Sequence, residues 1–560
     1  MPSRSTSTAP AGRRRPALTA VTAVTAVTAV TVATLLAAAG CSGAGSGPDS
    51  GGQGGQTSRN DQDGQEDGQN TTDTTAAPQN LTSQKLDWKA CPTPSAAEGG
   101  GTPPSPLPGG TKWECASMSA PLDYAKPKGA TIELALIRAK TSDPGKRIGS
   151  LVFNFGGPGG SGVTGLPSFG NDYDKLRTRY DLVSFDPRGV GRSDPVECKD
   201  DKQLDAYYAT DMTPDDAAEE KSYVNGLKWY AGGCEQKSGK ALPHVGTVNA
   251  ARDMELMRQV LGDDKLNYFG ISYGTELGGV YAHLYPKSVG RAVFDAVVDP
   301  NQSSEQGSLG QAKGFQLALT NFAKDCVSRG DACKLPGSTP KEIENFVVQL
   351  LDQLDKKPIA GLGDRKLTET QATNGIAQTL YSKEYWPLLE QGLDEADGGS
   401  GALLLVLSDA MNGRNEKGQY SNIQAANAAV NCVDSKQRYT LAQTKAKLPE
   451  FRKVSPVFGD FLGWGLLGCS EWPVPGEWEK PDVSAPGAAP ILVIGNTGDP
   501  ATPYEGAQAM AKALGDGVGV ELTYEGQGHG AYNAGSACVQ NAVNGYLLDG
   551  KVPKAGTVCK

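Results

Sequence analysis

Three side chains able to perform acyl transfer together stand in ordered positions along the chain. Gly270-Ile271-Ser272-Tyr273-Gly274 is a G-x-S-x-G pentapeptide, a weak signal alone but one set in a telling context. It follows an apolar run at 267–271 and precedes a helical pattern at 275–285. A serine on such a strand-to-helix turn is held strained above a sheet, and flanking glycines let the two backbones approach. A serine hydroxyl attacks a carbonyl only with a base beside it. The chain has 3 histidines. His283 lies on the same predicted helix as Ser272, roughly 16 Å further along its axis. His244 precedes the serine, whereas this turn is used with the chain order Ser, acid, His. His529, in Gly526-Gln527-Gly528-His529-Gly530, remains as the base.

The acid that orients the imidazole is expected at Asp499, just past the apolar run 491–494, with Asp299 as its competitor after an earlier strand. Developing negative charge on the substrate oxygen calls for backbone N–H donors. Tyr273, next after the nucleophile, supplies one, and Gly157 in Gly156-Gly157-Pro158-Gly159-Gly160 the other. That loop lacks the Lys and Ser/Thr of a phosphate-binding loop.

The elements that must position these groups alternate. Apolar strand runs at 132–139, 151–155, 180–185, 267–271 and 291–298 are interleaved with helical patterns such as 247–261. From 301 to 483 the patterns are helical, for example 314–326 and 341–354. Strands return at 491–494 and 520–524, and a closing helix is expected over 537–548. Such alternation predicts a mainly parallel sheet with helices on both faces, an α/β fold, interrupted by a helical cap lobe over the C-terminal strand ends. The expected organisation is an α/β-hydrolase core in two parts, 84–300 and 484–560, with the cap at 301–483.

Ahead of the core, Arg13, Arg14 and Arg15 precede an uncharged stretch at 17–39, which reads as an export signal over 1–40. Ala38-Ala39-Gly40-Cys41 resembles the lipobox of bacterial lipoproteins, with Ala38 where Leu is usual, and so implies lipidation at Cys41. Residues 41–83, rich in Gly, Gln, Asp, Thr and Ser, read as a disordered tether. With Cys41 set aside, 10 of the 11 cysteines remain, an even number suited to an oxidising compartment. They fall in sequence-close pairs: Cys91 with Cys115, Cys198 with Cys234, Cys326 with Cys333, Cys432 with Cys469, and Cys538 with Cys559. Spacing does not fix that connectivity. Few histidines and no Cys-x-x-Cys argue against a metal site, and no cofactor is implied. A net charge of −10 argues against nucleic-acid binding.

Phe155 to Gly162, Asp186-Pro187-Arg188-Gly189-Val190-Gly191-Arg192-Ser193, the Gly270 pentapeptide, Gly498-Asp499-Pro500 and Gly528-His529-Gly530 occur together and in order. From Trp88 onward the chain thereby resembles the bacterial secreted tripeptidyl aminopeptidases, relatives of the proline iminopeptidases. It differs from the iminopeptidases at Phe155, where they carry His. Glu276 stands where an uncharged residue is expected. The resemblance implies an exported, lipid-anchored or secreted serine exopeptidase acting on peptides with a free N-terminus, which the helical lobe recognises. Asp434 and Glu471, each beside a cysteine of that lobe, are the candidate acids. An esterase or lipase of the same fold is the rival enzyme, and a binding lipoprotein with a decayed site the rival outside enzymes.

Overall fold

Ser150 to Phe153 and Leu182 to Phe185 are buried on both faces of the strands that carry them, the pattern that parallel sheets produce when helices cover them twice. In the computed structural model, which describes residues 76–560, these strands sit inside one ten-stranded sheet. Its strands in chain order are β1 Lys89–Ala90, β2 Glu114–Pro121, β3 Thr131–Ala139, β4 Gly149–Asn154, β5 Tyr180–Phe185, β6 Leu266–Ile271 and β7 Val289–Asp295. A separate two-strand pairing follows, β8 Ile359–Ala360 with β9 Lys366–Leu367, then β10 Ile491–Gly498, β11 Gly519–Gln527 and β12 Thr557–Cys559 complete the large sheet. The sheet order is β1-β2-β3-β5-β4-β6-β7-β10-β11-β12. The first three strands and β5 pair antiparallel, and every pairing from β5 to β12 is parallel.

Leu151, Phe153, Phe269, Val293, Leu492 and Leu522 pack on one face with the closing helix Ala537–Asp549. Val152, Val183, Tyr268, Phe294 and Val493 pack on the other with helices Thr247–Leu261 and Tyr273–Leu284. Between β7 and β10 the chain builds a lobe of helices, from Ser304–Ser328 through Gly459–Trp464, with its own apolar core around Phe315, Phe322, Ile376, Leu389 and Leu404.

Two expectations shift. The strand expected over 291–298 leaves the sheet at Asp295, because Ala296 takes φ +55 and turns the chain out. Within the span expected as tether, Gln79–Thr82 is instead a helix that buries Leu81 against the core. Two further helices, Asp201–Tyr208 and Ala217–Ser238, follow β5. The second reaches the cap, where Tyr223 and Leu227 meet Trp464 and Leu467. The five cysteine pairs are all disulfides, with Cys432–Cys469 tying the end of helix Ile423–Asp434 to the loop before β10. The expected export signal over 1–40, Cys41 and most of the expected tether lie outside the described residues. No described helix is long and apolar enough to cross a membrane.

Candidate active site

Ser272 caps helix Tyr273–Leu284 at φ +59, ψ −126, a conformation costly for any residue with a side chain. Its surroundings hold it there. Ser272 N donates to Asp295 O at 3.0 Å. A Cβ on Gly270 would meet Gly274 O at 2.4 Å, and one on Gly274 would meet Asn154 O at 2.5 Å. The two glycines of the pentapeptide are therefore packing requirements of the turn.

The loop after β4 lies directly against this turn. A Cβ on Gly156 would stand 2.6 Å from Ile271 O and 2.9 Å from Ser272 Cβ. Gly157 takes φ +120. Neither the Gly157 N–H nor the Tyr273 N–H has an acceptor among the described residues; the latter is the first amide of its helix, where no intrahelical partner exists. Two groups pin the loop. Asp186 Oδ1 accepts from Ser161 Oγ at 2.6 Å and Val163 N at 3.1 Å, and Oδ2 from Arg192 N at 2.9 Å. Burial nevertheless raises that carboxyl to about 6. From the cap, Asn427 Nδ2 donates to Pro158 O at 3.0 Å.

Asp499 ends its strand's excursion with both oxygens engaged. His529 Nδ1 lies 2.8 Å from Oδ1 and 3.0 Å from Oδ2. Ala501 N and Thr502 N donate to Oδ1 at 2.9 and 2.8 Å. With Nδ1 so placed, His529 Nε2 is the free ring nitrogen, buried and without a partner. Ser272 Oγ likewise has none among the described residues. The imidazole is gripped from the cap as well: His529 N donates to Tyr381 O at 2.8 Å, and the two rings meet edge to face at 5.3 Å.

The structure does not bring Asp299 to the histidine; its Oδ1 accepts from Asn301 N at 2.8 Å. The carboxylate at the end of β7 is Asp295, which sequence reasoning missed by running the strand too far. Asp295 accepts from Ala531 N at 2.9 Å and Tyr532 N at 2.9 Å, and so fixes the turn that follows His529. His244 and His283 have other work. The His244 carbonyl accepts from the buried Arg188, which pairs with Asp253, and His283 Nδ1 sits 2.8 Å from Ser484 O.

Known proteins resemble this chain along most of its length. A family model described as "alpha/beta hydrolase fold" matches residues 149–335, and one described as "TAP-like protein" matches 455–559. "Serine protease Hip1" of Mycobacterium tuberculosis is 37% identical over 489 residues, covering 85% of this chain and 91% of that one. "Tripeptidyl aminopeptidase" of Streptomyces lividans is 30% identical over 481 residues, covering 85% and 86%. "Carboxylesterase B" of M. tuberculosis is 39% identical over 455 residues, covering 80% and 86%. The chain belongs to the tripeptidyl aminopeptidase group. It is a serine peptidase of the α/β-hydrolase fold.

In this tripeptidyl aminopeptidase-like chain, a single pocket is lined by Ser272, Tyr273, Glu276, Gln311, Asp434 and Trp478, among others, so core and cap share its walls. Asp434, expected at the substrate, is in this pocket. Its Oδ1 accepts from Thr247 N at 2.8 Å and its Oδ2 from Thr247 Oγ1 at 2.6 Å. Burial first, then the neighbouring Glu276, raises its pKa well above the ordinary carboxylate value. Glu471, the other candidate, is not in the pocket. It lies on the surface of the lobe, 3.8 Å from Lys228 of helix Ala217–Ser238. Proximity to a disulfide put both acids forward, but only Asp434 sits at the inward end of its helix. Glu276, in the first turn of the nucleophile's helix, is the acid the sequence flagged without a role.

Proposed function

We propose that this serine peptidase is an exported exopeptidase that releases short peptides, three residues long as the family name implies, from free N-termini. The observation that carries the mechanism is the commitment of His529 Nδ1 to both oxygens of Asp499, which leaves Nε2 as the ring's proton acceptor. Ser272 Oγ forms a bond to the scissile carbonyl carbon while its proton passes to Nε2. The Gly157 and Tyr273 N–H groups take the resulting oxyanion. The C–N bond then breaks, the leaving amine takes the proton from Nε2, and water repeats the sequence on the acyl-enzyme. Catalytic hydrogen bonds of this kind tighten when substrate arrives, which accommodates an unpaired Ser272 Oγ.

An acid-lined pocket beside the nucleophile supports recognition of a free ammonium, because an internal amide placed there would leave its carboxylates without a counter-charge. Free tripeptide amides are expected to be cut far faster than their N-acetyl forms, with tripeptides as the released product by mass spectrometry. Equal rates would move the enzyme to the endopeptidase or esterase side. The similarity to a carboxylesterase B keeps ester hydrolysis as the second reading, and p-nitrophenyl esters compared with peptide amides separate the two. Anchoring rests on the sequence around Cys41. Cys41→Ala is expected to release the enzyme from membranes into the medium, and continued retention would refute the anchor.

A further inference from the structure

The pocket that holds Ser272 is lined by acids and by no Lys, Arg or His: its charged members are Glu276, Asp299 and Asp434. They differ in what they already bind. Asp434 has both oxygens satisfied by Thr247, and Asp299 accepts from Asn301 N. Glu276 has no hydrogen bond and no ion pair among the described residues. A second acceptor in the same wall is also unspent: Gln311 Oε1, from the cap helix Ser304–Ser328, is buried without a partner. A carboxylate in the first turn of a helix gains something from the helix dipole, but that alone does not explain a half-buried group in a pocket wall left without any donor. Two unused acceptors and no unused cation facing one cavity describe a site for a cation carrying N–H donors.

We propose that Glu276, assisted by Gln311 Oε1, is the specificity-determining group that binds a cationic nitrogen of the substrate next to the scissile bond. The inference rests on the peptidase reading and adds a residue on the core helix to a recognition expected only from the cap. The cation has two possible sources of one chemistry, the α-ammonium of the peptide or the head of a Lys or Arg side chain. Pairing an ammonium with this carboxylate inside the pocket is worth roughly 10- to 100-fold in kcat/KM, the range of a charge-assisted hydrogen bond.

The test uses the full enzyme and fluorogenic tripeptide amides in a matrix: N-terminus free or acetylated, and Lys, Arg or norleucine at each position. Wild type, Glu276→Gln and Glu276→Asp are compared, with fluorophosphonate labelling of Ser272 reporting that each variant is folded. For Glu276→Gln, the ratio of kcat/KM on cationic to uncharged substrates is expected to fall roughly 10- to 100-fold through KM, with Glu276→Asp restoring part of it. If the ratio tracks the free amine, the cation is the N-terminus. If it tracks Lys or Arg on acetylated peptides, the cation is a side chain and the exopeptidase reading fails while this inference stands. A ratio equal to wild type in Glu276→Gln overturns the inference, whatever wild type does with acetylated peptides.

Discussion

Asp499, paired with His529, and Glu276, in the wall of the pocket that holds Ser272, are carboxylates treated in opposite ways. Asp499 is surrounded by His529 Nδ1 and the amides of Ala501 and Thr502 before any substrate arrives. Glu276 is given nothing, and burial lifts its carboxyl to about 7. The first arrangement is preorganised, so that no reorientation is needed while charge develops. The second is left incomplete, at a cost in stability while the carboxyl is ionised that a cationic ligand would offset. On the proposed roles, machinery and recognition differ in their hydrogen bonds.

Breaking the preorganised side is expected to have the largest effect. Ser272→Ala and His529→Ala should each abolish nearly all turnover, and Asp499→Asn should lose on the order of 10⁴ in kcat by presenting the wrong imidazole tautomer. Steady-state kinetics on a free tripeptide amide measures all three, and an Asp499→Asn enzyme near wild type would remove the acid assignment. Next comes Asp295, which holds the turn after His529 through the Ala531 and Tyr532 amides. Asp295→Asn is expected to lower kcat about 10- to 100-fold, the scale of one mispaired buried donor, with KM nearly unchanged. A KM effect of the same size would place Asp295 at the substrate instead.

The incomplete side gives smaller, pH-dependent effects. Glu276 must be ionised to hold a cation. The kcat/KM ratio of cationic to uncharged substrates should therefore decline as pH falls through about 7 in wild type and stay flat in Glu276→Gln. The ratio cancels any pH dependence of the acyl-transfer step, which both substrates share. The other groups facing the same wall are Asp434 with Glu477 and Arg252 behind it, Tyr273, and Asp299 with Lys480. Stability runs the opposite way to function. A carboxyl raised from 4.5 to about 7 favours the folded state when protonated, a contribution present below the unfolded value and lost as pH climbs through the folded one. Glu276→Gln should raise Tm at pH 8 and leave it nearly unchanged at pH 4.5, as differential scanning calorimetry would register. Least of all should follow from Glu471→Gln, whose exposed pairing with Lys228 lies outside the pocket: kcat/KM within about twofold of wild type.

What the sequence made legible follows from how local each signal is. The turn at Ser272 is written in five consecutive residues whose glycines have steric reasons. Strands such as Tyr180–Phe185 and the helix Thr247–Leu261 announce themselves by composition and period. Asp295 was not legible, because apolar character continues past it through Val297 and Val298 and nothing local marks the positive φ at Ala296. β2, Glu114–Pro121, was also silent: its Cys, Ala and Ser are ordinary in loops, and it is a strand because β3 pairs along its whole length. The choice between Asp434 and Glu471 needed the third dimension, since both neighbour the same disulfide and only one points inward. Glu276 was conspicuous in sequence, but its lack of a partner is a property of space.

The cap's grip on the chemistry has a consequence for anyone wishing to cut this enzyme down. Asn427 holds the Pro158 carbonyl, a Cβ on Gly159 would strike Ile423 O at 2.4 Å, and the Tyr381 carbonyl holds the His529 amide. The inserted lobe therefore braces the loop after β4 and the His529 turn at once. Splicing β7 directly to β10 would yield a sheet with its nucleophile in place and two slack loops above it. Exchange of lobes between relatives should succeed only when these three seats travel with the graft, which makes the lobe a keystone rather than a lid.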